Sequence, residues 1–127
     1  MGRPIFDEAL IHPAIRQKIA AWGADIVQEV HDVVSAKPLV VVGMKMNPFP
    51  RKARRLLDAA GIDYVYLEFG SYLSGYRRRL PLKLWTGWQT FPMIFVKGVL
   101  VGGANDLEKL LQSGELKRRL EDVSGPA

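Results

Sequence analysis

The chain has 127 residues, of which 48% are hydrophobic, and its formal net charge is +5. This length suits one domain, and the hydrophobic content excludes a disordered protein. The longest apolar run, residues 38–42, is far shorter than the ~18 residues of a membrane span, so we expect no membrane segment. The chain has no cysteine and two histidines, which excludes disulfides, thiolate catalysis and sulfur-ligated metal. We therefore predict no metal site and no required cofactor.

The first third of the chain is predicted to be helical. Apolar residues recur every three or four positions over residues 12–36, and Gly23 divides this stretch into two pieces. The apolar stripe consists of Ile15, Ile19, Trp22, Ile26, Val30 and Val33/Val34. Pro38 ends the helix, because a residue before proline avoids helical dihedrals. Residues 1–8 lack the apolar core of a secretion signal, so a cytoplasmic location is the default expectation.

The rest of the chain alternates between predicted strands and helices. Asn47-Pro48 begins a helix, because asparagine caps a helix and proline fits its first turn. Strands are predicted at 39–42, 64–67, 93–96 and 99–101, and further helices at 71–86 (interrupted by Gly75 and Pro81), after Gly103 and after Gly114. Lys97-Gly98 is a tight-turn signal between the last two strands. This order predicts an α/β fold, a four-stranded mixed sheet with helices on both faces.

Residues 88–107, WQTFPMIFVKGVLVGGANDL, resemble the C-terminal half of glutaredoxins and are closest to the monothiol, CGFS-type branch. Residues 40–45 and 51–53 resemble the strand and helix around that family's active site. The resemblance implies a thioredoxin-like fold. We therefore divide the chain into an N-terminal helical extension, residues 1–24, and a glutaredoxin-like domain, residues 25–127.

The active-site loop departs from the family pattern. Where dithiol members carry C-P-Y-C, this chain has Asn47, Pro48, Phe49 and Pro50. Aligned to the monothiol branch instead, the segment with C-G-F-S is missing before Arg51. Neither alignment supplies the thiolate that disulfide exchange requires, or the thiolate that normally ligates an iron–sulfur cluster. We therefore predict a redox-inactive protein without catalytic residues.

The resemblance implies that a glutathione-binding groove survives without the cysteine. Pro92 corresponds to the family's cis-proline, and the backbone of Phe91 would pair with the cysteinyl part of glutathione like an added strand. At the following helix start, Ala104 and Asn105 would donate to the γ-glutamyl carboxylate, with Asp106 near the ligand's amine.

Two cations complete the implied groove. Lys45 and Arg79 correspond to residues that attract the glycine carboxylate in relatives, and an arginine fork suits that pairing. These residues predict a non-catalytic module that binds glutathione, a glutathionylated segment or a partner protein. Monothiol relatives form complexes with BolA-like proteins, which are a possible partner by resemblance.

Two other functions stay open. Glutathione transferases share the fold and activate the bound thiol with a hydroxyl group, for which the candidates are Ser71, Tyr72, Ser74 and Tyr76. Nucleic-acid binding could use two basic clusters, which consist of Arg51, Lys52, Arg54 and Arg55, and of Arg77, Arg78 and Arg79. No nucleic-acid motif accompanies these clusters, and a solvated helix face explains them as well.

Overall fold

The computed structural model describes residues 2–71 and 75–122, except for the side chains of Tyr76 and Arg77. In chain order the elements are a 3₁₀ turn (Glu8–Leu10), α1 (Pro13–Ala21), α2 (Ala24–Ala36), β1 (Leu39–Gly43), α3 (Pro48–Ala59), β2 (Val65–Glu68), α4 (Tyr76–Thr86), β3 (Met93–Val96), β4 (Val99–Gly102), α5 (Ala104–Ser113) and α6 (Glu115–Glu121). None of the described helices is long and apolar enough to cross a membrane.

The sheet has four strands in the order β2-β1-β3-β4. β1 pairs parallel with β2 and antiparallel with β3, and β4 closes the hairpin with β3. All five residues of β1 are buried, as their unbroken apolar character predicts for a central strand. This arrangement confirms the predicted mixed sheet, although β2 begins at Val65, one residue later than expected.

Two hydrophobic cores lie on opposite faces of the sheet, so the prediction of helices on both faces is confirmed. On one face, Ile26 and Val30 of α2 and Leu82 of α4 pack against β1 and β3. On the other face, α3, α5 and α6 contribute the buried residues Ala53, Leu57, Ala104, Leu107 and Leu116.

The apolar stripe of residues 12–36 is buried in its second half but not in its first. In α2, Ile26, Val30 and Val34 are buried and Val33 is partly buried, whereas α1 contains no buried residue. Ile15, Ile19 and Trp22 are 45%, 57% and 49% exposed. The first helix ends at Ala21, where Trp22 becomes extended, and Gly23 then adopts left-handed dihedrals with φ +70° at the start of the second helix. Of these two helices, only the second packs on the sheet.

The predicted interruption of the helix at Pro81 is wrong. α4 begins after Gly75 and continues through Pro81 to Thr86. The proline ring is buried against Gly23, where an added Cβ would lie 2.2 Å from Pro81 Cγ. Proline cannot donate a backbone hydrogen bond within the helix, and its ring is buried against Gly23 at this position. The predicted helical residues 72–74 lie outside the described residues.

Candidate functional site

The turn before β3 is the centre of the candidate site. The Phe91–Pro92 peptide bond is cis, and both residues are buried. A Cβ built on Gly103 would lie 3.6 Å from the carbonyl oxygen of Pro92 and 3.7 Å from Cζ2 of Trp88. The cis turn, the indole and the start of α5 are therefore in direct contact.

Asn47 connects what remains of the active-site loop to this turn. Its Oδ1 accepts a hydrogen bond from the Phe49 N–H at 3.0 Å and caps α3, with Pro48 in the first helical turn. Its Nδ2 donates to the Phe91 carbonyl at 3.3 Å, and the residue is only 8% exposed. One side chain thus joins α3 to the cis turn.

The junction between β1 and α3 is tightly packed beside Asn47. A Cβ on Gly43 would lie 2.8 Å from both Pro50 Cβ and the Tyr66 hydroxyl, so only glycine fits there. Met46 adopts left-handed dihedrals with φ +65° and is exposed, as is Phe49. The loop therefore offers two apolar side chains to solvent next to a closely packed base.

The Tyr66 hydroxyl group lies at this junction, and it is engaged within the protein. Burial, together with the hydrogen bond to Glu68 at 3.0 Å, raises the pKa of Tyr66 to about 12. The Arg54 guanidinium lies 4.2 Å from the ring centroid, on the ring face. A hydroxyl whose pKa is raised remains neutral, and this one donates its proton to Glu68, so it is not directed at a bound thiol.

The start of α5 already contains a carboxylate. Asp106 Oδ2 accepts a hydrogen bond from the Gly103 N–H at 2.9 Å, which suits the positive end of the helix dipole. A Cβ on Gly102, whose φ is +112°, would lie 2.4 Å from that oxygen. Ala104 is buried and Asn105 is exposed. The first N–H groups of a helix have no partner within it, so the N–H groups of these two residues suit an anion.

Lys52 of α3 is a further residue of this region, which sequence reasoning placed only within a basic cluster. Its Nζ donates to Asn105 Oδ1 at 3.0 Å and to Glu108 Oε1 at 3.2 Å. The side chain is 31% exposed and connects α3 with α5. A cation that contacts Asn105 adds positive charge beside the predicted carboxylate position. No signal in the sequence pairs residues this far apart.

Lys45 and Arg79 lie in contrasting surroundings. Lys45 is exposed, and its N–H donates to the Gly70 carbonyl at 2.7 Å. Arg79 is 4% exposed, and its Nη1 donates to the Phe69 carbonyl at 3.0 Å. Since the Phe69 N–H donates to the Gly43 carbonyl, Arg79 supports the segment that pairs with the start of the loop. Lys45 is accessible to a dissolved carboxylate, whereas Arg79 presents almost no surface to one.

Of the four candidate hydroxyls of a transferase, the structure describes the side chain of Ser71 alone. Ser71 is buried, Tyr72 and Ser74 lie outside the described residues, and the side chain of Tyr76 is not described. Within the described part of the chain, no three histidine, aspartate or glutamate side chains form a group that could hold a metal ion.

The basic clusters are largely engaged within the protein. Arg78 Nη2 contacts Glu29 Oε2 at 3.1 Å, and Lys52, Arg54 and Arg79 make the contacts given above. The Arg78 side chain is 52% exposed, so these contacts favour the interpretation of the clusters as solvated helix faces.

A four-stranded mixed sheet between helices, with a cis-proline turn against a helix start, defines a protein of the thioredoxin-like fold. Buckwheat glutaredoxin, solved in complex with glutathione, matches this fold with a TM-score of 0.70 and 24% identity. The match covers 84% of this chain and 96% of the buckwheat chain.

The sequence comparisons identify the family. The glutaredoxin family model matches residues 39–101. A glutaredoxin-like protein of Dictyostelium discoideum is 41% identical over 95 residues, which are 75% of this chain and 77% of that protein. A probable monothiol glutaredoxin of Legionella pneumophila is 34% identical over 59% of this chain and 81% of its own length. The chain belongs to the glutaredoxin family, and it contains no cysteine.

Proposed function

We propose that this chain is a non-catalytic glutaredoxin-like module, which binds glutathione or a glutathionylated protein segment without exchanging disulfides. The observation that carries the proposal is Asn47. It caps α3 and holds the Phe91 carbonyl, so the loop, helix and cis turn stay together although the reactive atom is missing. An amide side chain cannot replace a thiolate as the nucleophile of disulfide exchange.

The Phe91 backbone keeps the capacity to bind an extended ligand. A carbonyl oxygen has two lone pairs, and Asn47 uses one of them at the long distance of 3.3 Å. A peptide-like ligand would add beside the turn as a short strand. The glutathione complex of the buckwheat protein, which has the same fold, supports this choice of ligand.

The charges at the two ends of this turn suit the two carboxylates of glutathione. The N–H groups of Ala104 and Asn105, with the Lys52 ammonium beside them, would receive the γ-glutamyl carboxylate. Asp106 would face the ligand's amine with the oxygen that does not accept from Gly103. The exposed Lys45 would attract the glycine carboxylate.

In this proposal Arg79 positions the loop and does not contact the ligand. Its guanidinium is 4% exposed and bonded to the Phe69 carbonyl, and Phe69 pairs with Gly43 beside Lys45. Met46 and Phe49 offer the surface for the rest of a glutathionylated segment or for a BolA-like partner, because both are exposed and apolar.

Titration of the isotope-labelled chain with S-methylglutathione, followed by amide chemical shifts, tests the proposal. This ligand lacks a free thiol, so a non-catalytic module should bind it as well as glutathione itself. We expect saturable shifts at the amides of Phe91, Ala104 and Asn105. Lys45→Glu should weaken binding, whereas Lys117→Glu, an equal charge reversal on the exposed side of α6, should not.

The same samples separate the alternatives. Binding that requires the free thiol, together with conjugation of a general electrophile, would favour a transferase. Absence of shifts at the three amides with millimolar ligand would exclude the proposed groove. Reduction of a mixed disulfide by the purified chain, at a rate above that of a heat-denatured control, would contradict the non-catalytic assignment.

A further inference from the structure

A second cavity lies at the end of the sheet opposite to the cis turn. It has a volume of ≈ 610 Å³ and is formed where α2 ends, β1 begins and the β3–β4 turn closes. Its lining residues include Ser35, Lys37, Trp85, Phe95 and Lys97. β3 starts at the cis turn and ends beside this cavity, and four residues of a strand span about 13 Å. The cavity is therefore separate from the proposed glutathione groove.

Aromatic rings form one wall of the cavity. The Trp85 ring centroid lies 6.4 Å from that of Phe95, with an interplanar angle of 32°. The His31 ring meets Trp85 edge-on at 6.2 Å. Phe95 is buried, but Trp85 is 37% exposed, so part of the indole surface is available to a ligand. A wall of this kind, in a cavity of this volume, suits a planar apolar group.

The charge of the lining is positive. It includes Lys37 and Lys97 and no carboxylate residue. The C-terminus of α2 contributes a partial charge of about −0.5, which the full charge of Lys37 alone outweighs. Lys97 Nζ donates to the backbone carbonyl of Asp122 at 2.9 Å, so the attraction for an anion is assigned to Lys37. A ligand at this position is therefore favoured when it is anionic.

We propose that this cavity binds a small planar aromatic anion, whose ring system packs on Trp85 and whose carboxylate or sulfonate lies near Lys37. The aromatic wall and the positive rim belong to one concave surface, and neither is used by the groove at the cis turn. Trp85 provides the surface on which the ligand's ring packs, and Phe95 packs against the indole. The charge of Lys37 attracts the ligand's acidic group.

Titration of the full chain with anilinonaphthalene sulfonate tests this assignment, with dye fluorescence and amide shifts as the two readouts. We expect shifts at Ala36 and Gly98, which line the cavity. Trp85→Ala should weaken binding about tenfold, because the main stacking surface is removed. Lys37→Glu, a change at an exposed position that the fold tolerates, should weaken it about fivefold. The uncharged dye without its sulfonate should bind more weakly than the sulfonate.

The exposed stripe of α1 provides matched controls. Trp22→Ala removes an indole that is 49% exposed, and Lys18→Glu reverses a charge on the same helix. Both variants should bind the dye as the unmodified chain does. Trp22 and Trp85 both line a neighbouring cavity between α1 and α4, so dye affinity that falls in Trp22→Ala, whether or not it also falls in Trp85→Ala, would place the dye there and overturn the proposal. A non-saturable response, or equal binding of the uncharged dye, would overturn it as well.

Discussion

Asn47 is predicted to stabilise the fold through two separable interactions. Loss of an asparagine N-cap costs about 1 kcal/mol, and loss of a buried hydrogen bond such as that to the Phe91 carbonyl costs about 1 kcal/mol more. We therefore expect Asn47→Ala to lower the free energy of unfolding by about 2 kcal/mol. Asn47→Ser keeps an oxygen that can cap α3 but does not reach the Phe91 carbonyl, so it should lose about half as much.

Urea unfolding monitored by tryptophan fluorescence measures these differences. Asn105→Ala is the matched control, because this exposed asparagine makes a surface contact to Lys52 and should cost less than about 0.5 kcal/mol. Equal losses for Asn47→Ser and Asn47→Ala would mean that the cap contributes nothing. A loss below about 0.5 kcal/mol for Asn47→Ala would refute both contributions and, with them, the view that this residue holds the loop, α3 and the cis turn together.

Three further predictions follow from the packing and the pKa of single residues. Gly102→Ala should destabilise the chain by about 2 kcal/mol in urea unfolding, since its φ is +112° and the new methyl would meet the Asp106 carboxylate; a change within error would contradict this. Burial and a carboxylate partner raise the pKa of Tyr66 from 10.0 to about 12, so its contribution to stability is fully present below pH 10 and is lost as the pH rises to about 12. Tyr66→Phe should therefore flatten the alkaline decline in stability, measured by unfolding at a series of pH values, and an unchanged decline would count against it. Ile26→Ala, at a position 1% exposed, should cost about 2–5 kcal/mol, whereas Ile19→Ala, at one 57% exposed, should cost under about 0.5 kcal/mol; similar losses would show that α1 is packed after all.

Periodicity and local chemistry predicted the elements of the fold but not all of their contacts. The strand at 39–42, the Asn47-Pro48 helix start and the Lys97-Gly98 turn depend on neighbours in sequence, and the structure contains all three. The apolar stripe on residues 12–22 is evident from the sequence, but such a stripe does not specify which element, if any, packs against it. The continuity of α4 through Pro81 depends on Gly23, a distant residue that no local pattern connects to it.

For the candidate site, the sequence supplied the residue types and the family resemblance supplied their roles. The cis bond at Pro92 came from the resemblance, because an X–Pro bond has only a ~5% prior chance of being cis. The hydrogen bond between Asn47 and Phe91 spans 44 positions and could not be read from either segment. Arg79 is buried and bonded to the Phe69 carbonyl, whereas Lys45 is exposed. This difference in exposure between the two cations depends on tertiary contacts, so the sequence does not predict it.

Arg3, near the N-terminus, lies close to the candidate site. The Arg3 guanidinium packs on Gly87, where a Cβ would lie 2.9 Å from its central carbon. Gly87 directly precedes Trp88, whose ring contacts the start of α5. An affinity tag or fusion partner attached in front of Arg3 would therefore emerge next to the groove and could itself block or contribute to ligand binding. Removal of the tag is therefore the safer choice for an assay of ligand binding at the cis turn.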